Sequence, residues 1–365
     1  MRIAQTRIRN FRNLENALCE WHPGLNVLSG PNGAGKTNVL EALHIITGWG
    51  AFSGSRCSDT VRWNSEGGAS LAAQAEGERS ALIEAHIVAR ASLRVDGKAC
   101  RWGDLRSCVQ SLAFLPADMA LIEGSPAVRR RFLDVLCALV FPLYAFKLSE
   151  YRRITQHRRY LLSQGHSPRI TQETMAALAV WIWECRTEVT SALEKCLEKW
   201  NDLLPRPVAL ELKRGGAGNA DDLLEDFHRS CAILAERERA SGTPLVGPHR
   251  DDLLLSCESR TAAEVLSRGQ RRRAALSLIM AAASAVQERY RAAPVLLLDE
   301  VTSELDASGR DILMNCLGRS GWQVFAATAE SPLPQFDGAA WKLDAGKIER
   351  ISSEKSVKRL MNPDI

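Results

Sequence analysis

The fold is decided by the stretch Gly30-Pro31-Asn32-Gly33-Ala34-Gly35-Lys36-Thr37. Its spacing, Gly-x4-Gly-Lys-Thr, is that of a phosphate-binding loop. Glycines let successive backbone N–H groups curl around phosphate oxygens, while the lysine reaches the β- and γ-phosphates and the threonine hydroxyl binds Mg²⁺. The sequence therefore predicts a nucleoside triphosphate site to which all eight residues contribute. A chance glycine-rich turn is the alternative interpretation.

The flanking residues supply the context that such a loop requires. A short apolar run over residues 24–29 predicts a strand that enters the loop. After the loop, Val39, Leu40, Leu43 and Ile46 recur at helical spacing, which places them on one buried face of a helix. The order strand, loop, helix argues against a chance turn and predicts an α/β sheet.

A second motif lies in the last third of the chain. Four apolar residues, 295–298, are followed directly by Asp299 and Glu300. A buried strand of this kind delivers its carboxylates at its carboxyl end, where α/β proteins bind ligands. We expect Asp299 to hold Mg²⁺ and Glu300 to polarise an attacking water. A buried strand with a solvated acidic end is the alternative.

A third motif, Leu266-Ser267-Arg268-Gly269-Gln270, opens a helix rich in alanine and leucine. The free N–H groups and the dipole of a helix start attract an anion. Arg271, Arg272 and Arg273 follow in the first turn, where cations oppose the dipole, so we expect an anionic partner to offset them. The alternative is that these arginines are simply solvated.

The middle of the chain, from Ser125 to about Trp200, is helical and rich in arginine, and Pro142 should end or kink its first helix. The sequence predicts a helical arm inserted between two α/β portions, with boundaries at residues 1–124, 125–240 and 241–365. A second helix carries an apolar seam at three- and four-residue steps, formed by Met175, Leu178, Ile182, Cys185, Val189, Leu193, Cys196 and Trp200.

Composition sets limits on the class of protein. Hydrophobic residues are 45% and charged residues 25%, which is ordinary for a folded globular protein, and the net charge of +4 is too small to identify a polyanionic partner. Ten scattered cysteines form no CxxC motif, so we expect reduced thiols in a cytoplasmic protein. No segment predicts a signal peptide or a membrane span.

These motifs resemble the ABC-type ATPases, because the loop, the Ser-x-Gly-Gln signature, the acidic strand and Ser303-Glu304-Leu305-Asp306 occur in that order. The large helical insertion is similar to the SMC-like branch, and the chain resembles the RecF family of bacterial DNA replication and repair ATPases most. The matching stretches are Asn10-Phe11-Arg12-Asn13, Gly124-Ser125-Pro126, Arg129-Arg130-Arg131-Phe132-Leu133-Asp134, Tyr151 through Arg159, and Gly247-Pro248-His249-Arg250-Asp251-Asp252.

The resemblance implies a mixed-sheet ABC-type ATPase head with flanking helices and a helical arm. It implies two ATP molecules held between two heads of a homodimer, with Mg²⁺ on Thr37 and Asp299 and hydrolysis assisted by Lys36 and Glu300. Ser267, Gly269 and Gln270 would contact the γ-phosphate of the partner head, and Asp306 would lie at the dimer seam. Turnover would be slow, because a monomer lacks the partner's signature.

The same resemblance implies ATP-dependent DNA binding in replication and recombinational repair, linked to the SOS response and to stalled forks or gaps, with RecO and RecR as partners. The DNA would be double-stranded, gapped or a junction of single and double strands. Arginine fits phosphate bidentately, so the candidate DNA contacts are the clusters Arg129, Arg130 and Arg131, and Arg271 and Arg272, with further pairs at Arg152-Arg153 and Arg158-Arg159. Internal pairing with acids is the alternative for each.

Three features depart from the transporter pattern. No histidine follows the strand ending in Ala326-Ala327-Thr328, Arg268 stands where transporters often have glycine, and Gln110 is only a weak candidate for the glutamine before the arm. His249 can be a structural turn residue or a functional one.

Three alternative functions remain open at this point. A transporter ATPase subunit is disfavoured by the helical arm and the absent histidine. A nuclease-coupled ATPase is disfavoured because the residues after Glu300 are too few for a nuclease domain. A DNA scaffold that binds ATP without turning it over is disfavoured by the intact Glu300.

Overall fold

The computed structural model describes residues 1–52, 55–65, 67–204, 206–218, 220–303, 305–329 and 336–351, apart from the side chain at position 119. It divides into two compact units. The first combines Met1–Asp118 with the chain from Arg268 onward, and the second is Met119–Ser267. The second unit thus starts before the expected boundary at 125 and extends beyond the one at 240.

Among the described residues, twelve strands lie in the first unit and three in the second. In the described residues the strands are β1 (Arg2–Arg9), β2 (Ala17–Glu20), β3 (Leu25–Ser29), β4 (Ala69–Glu76), β5 (Ala81–Ile87), β6 (Ala91–Val95), β7 (Lys98–Ala99), β8 (Ser111–Phe114), β9 (Ala209–Lys213), β10 (Asp252–Cys257), β11 (Arg260–Thr261), β12 (Val295–Leu298), β13 (Val324–Thr328), β14 (Gly338–Asp344) and β15 (Lys347–Ile351).

Among the described residues, six α-helices lie in the second unit and four in the first. The α-helices are α1 (Lys36–Ile46), α2 (Trp102–Cys108), α3 (Ala120–Glu123), α4 (Pro126–Val140), α5 (Tyr144–Ser163), α6 (Arg169–Leu197), α7 (Leu223–Ser241), α8 (Ala262–Val265), α9 (Arg268–Tyr290) and α10 (Ala307–Arg319). None of these helices, within the described ranges, is long and apolar enough to cross a bilayer.

The first unit contains two six-stranded sheets with α1 in contact with both. One sheet is antiparallel in the order β2-β1-β4-β5-β6-β7. The other has the order β15-β14-β3-β13-β12-β8, in which β14, β3, β13, β12 and β8 are parallel and β15 is antiparallel. This mixed architecture confirms the predicted ATPase-head fold class.

The periodicity of α1 predicted its packing correctly. Val39, Leu40, Leu43 and Ile46 are all fully buried in the core of the first unit. Parallel pairing of β3 with β13 and of β13 with β12 puts the carboxyl ends of these strands at one edge of the sheet. The loop that follows β3 and the acidic residues that follow β12 therefore meet at that edge.

In the second unit α6 is the central helix and contacts α4, α5 and α7. Its predicted seam from Met175 to Cys196 is buried, whereas Trp200 lies beyond the helix in a 3-10 turn. As predicted, α4 ends at Val140, shortly before Pro142.

The arm was expected to be helical, but it also contains the sheet β11-β10-β9. Strand β10 pairs with β9 of the same unit, and Asp251 just before it bonds to α6, so this segment belongs to the arm and not to the carboxyl-terminal lobe. These contacts explain why the second unit extends to Ser267.

Candidate nucleotide-binding site

The phosphate loop joins β3 to α1 and needs glycine at two tightly packed positions. At Gly30 a Cβ atom would collide with the Leu343 carbonyl oxygen of the neighbouring strand β14. Gly35 caps α1 with φ at +107°, and a Cβ there would lie 2.6 Å from Leu14 Cδ2. Only glycine adopts this conformation without steric cost, so the loop places its backbone at the start of α1, where an anion is favoured.

Lys36 lies inside this loop. Its Nζ donates hydrogen bonds to the carbonyl oxygens of Gly30 (2.6 Å) and Pro31 (2.9 Å), and the residue is buried. Burial lowers the pKa of Lys36, whereas the charges of Asp299 and Glu300 raise it. An ammonium group that bonds to neutral carbonyls within the loop can turn to the oxygens of a bound polyphosphate, which are stronger partners.

Thr37 and Asp299 connect the loop to the acidic strand. The Thr37 hydroxyl donates to Asp299 Oδ2 over 2.8 Å, although the residues are 262 positions apart in the chain. Asp299 is buried, and its Oδ1 has no hydrogen-bond partner among the described residues. Burial is the main cause that raises the pKa of Asp299, and the hydrogen bond from Thr37 opposes it.

This pair fits Mg²⁺. A hydroxyl and a carboxylate with an orphaned oxygen are hard ligands of the kind the ion takes, and Mg²⁺ is usually held by one or two protein groups together with phosphates and water. The described residues contain no group of three or more His, Cys, Asp or Glu suited to a metal. Thr37 and Asp299 would therefore hold the ion jointly with the nucleotide.

Glu300 follows Asp299 and is exposed at the same edge of the sheet. Its backbone lies in the left-handed region with φ at +47°, which is uncommon for a residue other than glycine. The backbone N–H of Asp299 before it donates to the Phe114 carbonyl oxygen over 2.8 Å, and that of Val301 after it donates to the Ala327 carbonyl oxygen over 3.2 Å. Its carboxylate is therefore attached to a segment fixed on both sides.

The stretch Asn10-Phe11-Arg12-Asn13, which the sequence offered only as a point of resemblance, supports the loop from outside. Asn13 Nδ2 donates to the Gly33 carbonyl oxygen over 2.9 Å, and Asn38 Nδ2 donates to Asn13 Oδ1 over 2.7 Å. Sequence reasoning missed this support because it depends on contacts between segments distant in the chain.

Arg12, from the same stretch, holds helix α1 in place. Its guanidinium donates two hydrogen bonds to the carboxylate of Glu41, over 2.8 Å and 3.0 Å, and that carboxylate is buried on α1. Bidentate pairs are strong and geometrically specific, so Arg12 fixes the helix that presents Lys36 and Thr37.

The signature residues lie on both sides of the division between the units. Ser267 is the last residue of the second unit and is exposed, whereas Gly269 and Gln270 open α9 in the first unit and are half-buried. Asp306 caps α10 by accepting a hydrogen bond from the Gly309 N–H over 2.8 Å. Asp306 thus has a structural role within its own subunit, and Glu304 lies outside the described residues.

The predicted DNA contacts need correction at three positions. Arg272 is 2% exposed, so it cannot contact a phosphate backbone in this conformation. Arg129 forms a bidentate pair with Asp252 (2.7 Å and 3.0 Å), and Arg130 donates to the Asp251 carbonyl oxygen over 2.6 Å. These two arginines secure α4 to the start of β10. Arg131 is exposed and Arg271 is half-buried, so both stay candidates.

The Gly247–Asp252 stretch forms a buried polar network. Asp251 is fully buried and accepts hydrogen bonds from Arg186 (2.6 Å), the Trp183 indole (2.9 Å) and the Gly215 N–H (2.8 Å). Arg186 also bonds to Asp134 over 2.7 Å. The network joins α4, α6 and the turn before β10, which gives this stretch a structural role.

His249 is part of the same structural turn. The Tyr151 hydroxyl donates to its Nδ1 over 2.7 Å, and its Nε2 donates to the Pro244 carbonyl oxygen over 3.1 Å. Burial is the main cause that lowers the pKa of His249 to about 4, and the nearby arginines contribute to this lowering. The ring is therefore neutral at pH 7, and the structural alternative for this histidine is the one the geometry supports.

Comparisons with known proteins agree with this fold. The family model described as RecF/RecN/SMC N terminal domain matches residues 2–336. A DNA replication and repair protein RecF from Heliobacterium modesticaldum is 30% identical over 96% of this chain and 99% of its own. One from Bacillus thuringiensis (strain Al Hakam) is 28% identical over 90% of this chain and 92% of its own.

Solved structures show the same fold. A structure of the recombination mediator protein RecF-ATPrS in the RecFOR pathway superposes with a TM-score of 0.85 at 24% identity, covering 96% of this chain and 98% of that one. An Smc head bound to the C-winged helix domain of ScpA gives 0.60 at 16% identity, covering 98% and 100%. Fold and loop thus define an ABC-type ATPase head of the SMC-like class. More narrowly, the chain belongs to the RecF family of DNA replication and repair proteins.

Proposed function

We propose that this protein binds ATP and Mg²⁺ between two copies of the chain and binds DNA in replication and recombinational repair. Hydrolysis would be slow, stimulated by DNA, and would reopen the dimer. The observation that carries the proposal is the 2.8 Å hydrogen bond between Thr37 and Asp299, because it joins the phosphate loop to the acidic strand in a member of the RecF family.

The residues of one head have distinct roles in this proposal. The backbone of the loop and Lys36 bind the phosphates, and Thr37 with Asp299 would hold Mg²⁺, which supplies charge neutralisation at the β- and γ-phosphates. Glu300 lies next to this pair and orients the attacking water. It accepts the proton of that water as the water oxygen bonds to the γ-phosphorus and the bond from the γ-phosphorus to the departing ADP breaks. Asn13 and Arg12 keep the loop and α1 in place.

The second copy completes the site. The signature residues Ser267, Gly269 and Gln270 would contact the γ-phosphate held by the partner, because the start of a helix favours an anion. An ATP that contacts both copies stabilises only the closed dimer, so nucleotide binding acts as a switch. Family membership adds RecO and RecR as proposed partners, in agreement with the RecFOR pathway to which the solved RecF structure is assigned.

We propose that the second unit supplies part of the DNA surface. Arg153 and Arg159 on α5 and Arg250 before β10 are exposed. Of these, Arg159 and Arg250 both lie close enough to His249 for their charges to lower its pKa. Exposed guanidinium groups suit a phosphate backbone, whereas buried Arg158 pairs with Glu238 over 2.6 Å.

Replacing Arg153 and Arg159 together with glutamine should weaken duplex DNA binding about tenfold at physiological salt and reduce the salt slope by about two, because each lost phosphate contact removes about 0.9. The control is Arg237→Gln/Arg239→Gln, which removes the same charge from exposed positions on α7. Binding isotherms at several salt concentrations measure both. Equal affinity and slope in the test and control variants would remove α5 from the DNA surface.

The dimer itself is tested with Glu300→Gln, which blocks hydrolysis and should trap the closed state. Light scattering should give a protein mass twice that of the monomer with Mg-ATP and a short duplex, and the monomer mass with ADP in place of ATP. A monomer under every condition would contradict the two-head mechanism and leave a single-site phosphate-loop protein.

A further inference from the structure

We infer that Arg272 positions Glu300 and thereby couples the signature helix α9 to hydrolysis. The inference rests on the proposed ATPase function and deepens it, because it assigns a buried arginine outside the three motifs to the reaction. Arg272 acts through the backbone of Glu300 and not through the nucleotide or the attacking water, so it is a positioning residue.

The contacts of Arg272 connect three elements of the first unit. It is the fifth residue of α9, and its Nη2 donates a hydrogen bond to the backbone carbonyl oxygen of Glu300. The guanidinium also lies over the ring of Phe114, 5.6 Å from its centroid. Phe114 ends β8, which pairs with β12 in a register that sets Phe114 opposite Leu298. The arginine is thus placed against the edge from which Glu300 emerges.

The hydrogen bond from Arg272 matters because the backbone of Glu300 is strained. With φ at +47°, the residue is held in a strained conformation that persists only where its surroundings impose it. The bond from Arg272 holds the carbonyl of this residue. Because the backbone angles fix the direction of the Cα–Cβ bond, the arginine also fixes the direction in which the Glu300 side chain leaves the backbone.

The burial of a permanent charge supports a role beyond packing. A guanidinium that is 98% shielded loses its hydration, and a hydrophobic side chain of similar size at such a site is often neutral or stabilising. Arg272 is two residues after Gln270 on the same helix. A shift of α9 when Gly269 and Gln270 engage a partner's γ-phosphate would therefore reach the Glu300 backbone through this side chain.

The test compares Arg272→Met and Arg272→Lys with wild type in the full chain with duplex DNA. Steady-state hydrolysis gives kcat and KM for Mg-ATP, titration with methylanthraniloyl-labelled ATP gives nucleotide affinity, and thermal melting reports folding. Arg289→Met is the control, since Arg289 is an exposed arginine at the other end of α9.

A lost positioning contact should lower kcat of Arg272→Met about 100-fold while affinity and KM stay within about threefold. Lysine keeps the charge but not the planar fork, so Arg272→Lys should lose about three- to tenfold in kcat. Adding Arg272→Met to Glu300→Gln should cause no further loss, because both changes act on one group. Arg289→Met should match wild type.

A wild-type kcat in Arg272→Met, or equal losses of affinity and kcat, would overturn the inference, as would additive losses in the double variant. If Arg272→Met fails to fold, Arg272→Lys decides: a lower kcat at unchanged affinity supports the role, and an unchanged kcat overturns it. If the wild-type protein hydrolyses no ATP above the background of Lys36→Met, the proposed ATPase function itself fails. That outcome is distinct from a failure of the inference about Arg272, which requires an active wild-type protein.

Discussion

Replacing Arg186 with methionine is expected to destabilise the second unit by about 3–5 kcal/mol, the usual cost of removing one partner from a buried charge network. Arg186 bonds to Asp134 and Asp251 over 2.7 Å and 2.6 Å, and its own side chain is 2% exposed. It also donates to the Pro248 carbonyl oxygen over 2.7 Å. Methionine fills much of the space but leaves the buried Asp251 carboxylate without its cation, and it leaves Asp134 paired, among the described residues, only with the exposed Arg152.

The loss of stability in Arg186→Met should depend on pH. Burial is the main cause that raises the pKa of Asp251, and Arg186 is the strongest influence that lowers it. Without Arg186 the folded-state pKa of Asp251 rises further above its unfolded value. A group of this kind stabilises the fold only while it is protonated, so the variant should lose stability as pH rises from about 4 through the raised pKa. The deficit is therefore larger at pH 8 than at pH 5.

Urea unfolding at the two pH values measures this difference. Arg152→Met is the matched control, because Arg152 also pairs with Asp134, over 3.0 Å, but its side chain is 66% exposed. Exposed pairs contribute about 0–1 kcal/mol, so the control should stay close to wild type. A loss below about 1 kcal/mol in Arg186→Met would show that the unit does not depend on this network for its stability.

The structural elements around the candidate site that local sequence patterns encode were predicted correctly. The spacing of Val39, Leu40, Leu43 and Ile46 encodes the buried face of α1. The glycine spacing of the loop before it is likewise a local pattern that the sequence displays directly. The apolar run at 295–298 is a buried strand as expected. Each of these features depends on residues within a few positions of one another, which is the range over which periodicity and turn chemistry act.

The remainder depends on contacts between distant segments. No sequence pattern near Asp251 predicts that it pairs with Arg186 of α6. The predicted boundary of the arm at residue 240 therefore differs from the end of the second unit at Ser267. The arginine triplet at 271–273 did contain a usable signal. Consecutive helix residues point about 100° apart, so three in a row cannot share one surface, and here Arg272 points inward.

Lys36→Met is expected to lower ATP affinity more than 100-fold and to abolish ATP-dependent dimerisation. Hydrogen bonds from a charged donor contribute about 1.5–3 kcal/mol each, and Lys36 can offer the phosphates at least the two that it now gives to Gly30 and Pro31. Loss of two such bonds is about 3–6 kcal/mol, which corresponds to a factor of more than 100.

The Lys36→Met variant should keep its fold, so a loss of ATP affinity can be distinguished from a loss of stability. The hydrocarbon stem of Lys36 is buried in the loop, and methionine keeps most of it. Burial also lowers the pKa of Lys36, which means that the fold itself disfavours the buried ammonium and gains little from it. Melting temperature should therefore stay near wild type while labelled-ATP titration shows the loss, with Lys98→Met on exposed β7 as the charge-matched control. ATP affinity within tenfold of wild type would mean that the loop backbone alone binds the nucleotide, and that the role given to Lys36 is wrong.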